Sequence, residues 1–115
     1  MHSIILIGDE NFGIESVTQV SHAGNVKGYM LNKTRYVVEF EDGHIYYDFI
    51  ADIIDEYDEE ELLQIPFASP HFITMTYTSE TLMMRTLLQN DFLRGIYIDN
   101  DHGMIIPIEE FIKHQ

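Results

Sequence analysis

Apolar positions along this chain change period several times, and each change marks an element. Ile4-Ile5-Leu6-Ile7 is an unbroken apolar run closed by Gly8-Asp9, which predicts a short buried strand. From Glu10 to Gly24 the pattern is poor. Ile14, Val17 and Val20 fit a weak helical stripe, but the β-branched and polar content suits a strand or loop equally well. The period becomes two over residues 34–40 and 44–48, both rich in β-branched and aromatic side chains. Glu41-Asp42-Gly43 between them predicts a tight hairpin, since Asp-Gly supplies the positive φ angles such turns require. Residues 26–31 add a third antiparallel strand through an Asn32-Lys33 turn.

The period then switches to 3.6. Phe49, Ile50, Ile53, Ile54 and Tyr57 fall on one helical face, with Asp52, Asp55 and Glu56 on the others. Asp58 and Glu61 have capping-box spacing and predict a second helical start that runs through Leu62-Leu63 until Pro66 stops it. Residues 71–78 alternate again as a strand. Ser79 is an N-cap with Glu80 in the first turn, ahead of a helix through Met83, Met84, Leu87, Leu88 and Phe92. Ile96-Tyr97-Ile98 and Met104-Ile105-Ile106 are short strands around an Asn100-to-Gly103 turn. Pro107 opens a last helix with Glu109 and Glu110 near its start and Lys113 and His114 at its end. This grouping predicts an α+β fold in one domain over residues 1–115. Its sheet is antiparallel or mixed, with about five to six strands, and is covered on one side by about three to four helices.

Composition changes this picture mainly through charge. Twenty carboxylates against six Lys and Arg give a formal charge of -14, yet the 45% hydrophobic content is too high for a disordered acidic tail. The charge is concentrated. Between Arg35 and Arg85 there is no Lys or Arg but there are twelve carboxylates, eleven of them between Glu39 and Glu61. An exposed helix ordinarily interleaves Lys with Glu at i,i+4. Asp52, Asp55, Glu56, Glu59 and Glu60 have no basic neighbour along the chain. Uncompensated charge opposes compaction, so its gathering points to a cationic partner.

The same charge argues against direct nucleic-acid binding and against anionic membranes, both of which call for clustered Lys and Arg. No apolar run has the length of a membrane span, and Met1 to Ile7 lacks the basic start of a signal peptide. With no cysteine, disulfides, thiolate metal sites and thiol nucleophiles are excluded, which suits a reducing cytoplasm.

Candidate chemistry is thin. Gly8-Asp9-Glu10-Asn11-Phe12-Gly13 lacks the Lys-Ser/Thr of a phosphate loop, and its acids would repel phosphate. His2, His22, His44, His71, His102 and His114 show no metalloenzyme spacing. A calcium loop beginning at Asp99, with Asp101 third and Glu110 twelfth, brings Gly103 one position early and has a strand where a helix should precede it. No catalytic residue, metal site or cofactor is assigned.

The expected function is therefore binding. The chain reads as a small cytoplasmic inhibitor or immunity-type protein that neutralises a basic toxin or nuclease through an electronegative face. The expected contacts are Asp48, Asp52, Asp55, Glu56, Asp58, Glu59 and Glu60, with Tyr47 and Tyr57 as anchors. The alternatives are a phage-type nucleic-acid mimic and a small enzyme or accessory subunit without a recognisable motif. A hairpin edge strand offers a route to a homodimer that would compete for the same surface.

Overall fold

The computed structural model describes residues 2–100 and 103–113. Its elements are β1 (His2–Gly8), α1 (Ile14–Thr18), β2 (Asn25–Met30), β3 (Arg35–Phe40), β4 (Gly43–Phe49), a 3₁₀ turn (Ile53–Glu56), α2 (Glu59–Leu62), β5 (His71–Tyr77), α3 (Glu80–Leu87), β6 (Tyr97–Asp99), β7 (Ile105–Pro107) and α4 (Ile108–Lys113). All the strands join one sheet in the order β2-β3-β4-β5-β1-β6-β7. Every pairing is antiparallel. The broad α+β character stands, but the expected sheet of five to six strands is corrected to seven. The 26–31 segment and the two short strands near the C-terminus all join it, and among the described residues no parallel pair makes it mixed.

Coverage is the second correction, because the sheet is packed on both faces. Strand alternation sends Ile4 and Leu6, Ile45 and Tyr47, and Ile73, Met75 and Tyr77 to a front face. There they meet Val17 of α1, Leu82, Met83 and Leu87 of α3, and Ile108 and Phe111 of α4. The opposite alternation sends Ile7, Phe72 and Ile105 to the back, where Ile53 and Ile65 of the β4–β5 connection close over them. That connection is the acidic segment. It forms a lid over β1, β5, β6 and β7, and the hairpin strands carry no such cover.

The lid is less helical than its periodicity predicts. Phe49 is drawn into β4 opposite Ile73, and only i+3 bonds follow, Asp55 N–H to Asp52 O and Tyr57 N–H to Ile54 O. Like charges at Asp52 and Glu56, four apart, disfavour an α-helix, as do the β-branched Ile53 and Ile54. Asp58 does cap α2 as expected. Its Oδ1 accepts from the Glu61 N–H at 2.8 Å, and Glu61 Oε1 accepts from the Asp58 N–H at 3.0 Å. Ser79 caps α3 in the same way, its Oγ accepting from Leu82 N–H at 3.1 Å.

The undecided 10–24 region holds the one-turn α1. The hairpin loop is Glu41-Asp42, with Gly43 already in β4 opposite Phe40. Glycine is needed there because an added Cβ would run into Thr78 Oγ1. Pro107 ends β7 rather than opening α4. Among the described residues no helix is long and apolar enough to cross a membrane.

Candidate functional site

The residues expected to form one acidic face divide into two groups. Asp48 lies on the back face of β4, directly across from Arg35 of β3. The guanidinium takes it in a two-pronged bond, Nε donating to Oδ1 at 2.6 Å and Nη2 to Oδ2 at 3.2 Å. Asp48 therefore already holds a counter-ion. Its pairing holds the Arg35 guanidinium above its ordinary pKa, chiefly through that hydrogen bond.

Tyr47 also leaves the expected surface. Its side chain points to the front face and is 0% exposed. The hydroxyl donates to His22 Nε2 at 2.7 Å, and His22 Nδ1–H donates to Val20 O at 3.1 Å. Tyr36 stacks on the Tyr47 ring with centroids 6.3 Å apart. Burial drives the Tyr47 phenol far above its ordinary pKa, with a smaller push from Tyr36. Burial likewise lowers that of His22, against smaller opposing contributions from Val20 and Asp91. The expected anchor is thus a core side chain bound into a polar network.

Tyr57 is half-buried beneath the lid. Its ring packs on Phe72 at 5.2 Å and its hydroxyl donates to Asp99 Oδ2 at 2.5 Å. Asp99 is a buried residue of β6, and the calcium-loop partner Asp101 lies outside the described residues. Tyr57 acts as a strut that ties the lid to the sheet.

The remaining acids are brought together. Asp52, Asp55, Glu56, Asp58, Glu59 and Glu60 are all exposed on the lid. Among the described residues none of the six forms an ion pair, whereas Glu39, Asp42, Asp48 and Glu110 each meet a cation. Asp58 spends one oxygen on its cap. The lid's backbone is pinned by Ile53, Ile65 and Tyr57, with Leu62 and Phe67 packed alongside. Its charges are therefore presented from a fixed support.

Sequence reasoning missed the lid's apolar contacts. Leu63 is 86% exposed and Ile50 39%. α2 is a single turn with Leu63 at its C-cap, and of the two adjacent leucines only Leu62 reaches the sheet. No signal in the sequence says which of these two adjacent leucines turns inward. Among the described residues no three His, Asp or Glu side chains gather into a metal-holding group. Comparison with family models, curated proteins and solved structures finds no match to this chain.

Proposed function

We propose that the chain is a small acidic binding protein that neutralises a basic protein partner, of the inhibitor or immunity type, in the reducing cytoplasm. It acts by binding and not by catalysis. The contact surface is the lid: Asp52, Asp55, Glu56, Glu59 and Glu60 supply the charge, and exposed Leu63 supplies an apolar anchor in place of Tyr47. The observation that supports this reading is the contrast in pairing. Elsewhere acids with a cation in reach use it, across strands for Glu39 and Asp48, from α3 for Asp42 and within α4 for Glu110, and the lid acids form no ion pair among the described residues. A partner's Lys and Arg would complete them, raising the association rate most at low salt.

The test is capture of the basic products of neighbouring genes at low and high salt. A wild-type chain should capture one partner with affinity that falls as salt rises. The combined Asp52→Asn, Asp55→Asn, Glu56→Gln and Glu59→Gln variant should weaken capture by about a hundredfold, and Leu63→Ser by about tenfold, with circular dichroism unchanged. Capture that survives the fourfold change overturns the reading.

A further inference from the structure

The sheet order leaves β2 at an open edge, and all six of its residues are exposed. Val26, Tyr29 and Met30, with Leu31 just beyond, account for four of the eight large apolar side chains exposed among the described residues. Open edges are ordinarily guarded by outward charge, proline or a bulge. Here there is no proline, and the bulge is confined to the Asn25–Lys27 end. Lys27 lies back on the sheet, its Nζ 3.6 Å from Glu39 and 5.0 Å from the Tyr29 ring centre. The other edge, β7, is three residues long and ends in Pro107.

Charge singles out the same strand. Residues 16–38 contain no carboxylate and three cations, of which Lys27 and Arg35 are balanced by Glu39 and Asp48 while Lys33 lies in the turn after β2. On a chain of charge -14, β2 is a place where two copies can meet without setting acids against acids.

Backbone alternation then fixes the register. Leu31 N–H donates to Arg35 O at 2.9 Å, so Leu31, Tyr29 and Lys27 turn their backbone groups toward β3. Gly28 and Met30 turn theirs toward the free edge. We propose that β2 pairs antiparallel with β2 of a second copy about a two-fold axis at Tyr29, joining two sheets into one. Gly28 exchanges two hydrogen bonds with Met30 of the second copy, and Met30 with its Gly28. Tyr29 faces Tyr29, and Lys27 faces Leu31, so no cation opposes a cation. The dimer edge and the acidic lid are separate surfaces, because the lid covers β1, β5, β6 and β7.

Analytical ultracentrifugation of the full chain tests this. The wild type should sediment at twice the 13.5 kDa chain mass at high concentration. Met30→Pro removes an outward N–H without touching the β3 ladder, and should be monomeric at every concentration. Met30→Lys should give the same result, and it decides the matter if the proline variant unfolds. The chain has no cysteine, so Tyr29→Cys alone should oxidise to a disulfide dimer. Lys27→Cys should do so only when mixed with Leu31→Cys, since opposed residues of such non-hydrogen-bonded pairs lie at disulfide distance. A wild type that stays monomeric leaves the edge to a different chain and overturns the proposal. So does a dimer that survives both Met30 variants.

Discussion

The lid and the β2–β4 hairpin sheet are drawn from neighbouring stretches of sequence, yet they handle charge in opposite ways. In the hairpin, residues far apart along the chain become cross-strand neighbours. Arg35 meets Asp48 and Lys27 meets Glu39, while His44 and Arg35 lie against the Tyr46 ring at 6.0 and 5.4 Å. In the lid, a side chain's charged neighbours are those three and four positions away, and these are acids. A strand ladder can import a counter-ion from another strand. A short, single-layer connection cannot, so its charge faces outward. The electronegative surface is thus a product of where the acids sit in the topology as much as of how many there are.

Three experiments sharpen or break that contrast. The largest effect is expected at Phe72, which lies beneath the lid and is 1% exposed. Phe72→Ala should cost about 3–5 kcal/mol in chemical denaturation. It should also speed cleavage of the lid by a glutamate-specific protease at Glu56 to Glu61. Lid cleavage no faster than in the wild type would mean that the lid is not held by this packing.

The hairpin's front face gives the next effect. Tyr47→Phe leaves His22 Nε2 buried without its donor, at a cost of about 1–3 kcal/mol. Burial lowers the folded-state pKa of His22 below its ordinary 6.5. As pH falls the unfolded chain takes up this proton first. The His22 contribution is therefore full above about 6.5 and is lost as pH drops through the folded value. The stability difference between wild type and His22→Gln should shrink over that fall, measured by urea titrations at stepped pH. A difference independent of pH would show that His22 does not titrate in this way.

The smallest effect belongs to the hairpin's ion pair. Arg35→Met strands Asp48, but the pair is partly exposed and screened, so the loss should be about 1 kcal/mol and should fall as salt rises. The same variant should gain affinity for a cationic partner, because it turns a compensated acid into a free one. Unchanged affinity would confine the partner's contacts to the lid.

Much of the fold is legible in the sequence because its signals are local. The 34–48 hairpin, the Asp58 and Ser79 caps and the short terminal strands follow from turn chemistry and period. What is not legible depends on distance. Alternation along β4 separates Tyr46 from Tyr47, but it does not say which of them faces inward. That is decided by His22, 25 residues away, and by Tyr36. The Arg35–Asp48 pair spans 13 positions and exists only once the hairpin register is set. For the lid, periodicity gave the buried Ile53 correctly but overestimated the helix, because it takes no account of repulsion between the polar positions. The acidic cluster itself was readable from the missing Lys and Arg. Leu63 beside it was not, because which of two adjacent leucines faces the sheet depends on how the lid docks on it.

The first strand sits in the interior of the sheet, between β5 and β6. During synthesis the β2–β4 meander can close as soon as residue 49 has left the ribosome. His2 must wait for Tyr77, and Ile5 for Asp99. Such long-range closure is slow relative to hairpin formation. The nascent chain therefore passes through a stage in which the apolar β1 segment has no strand beside it.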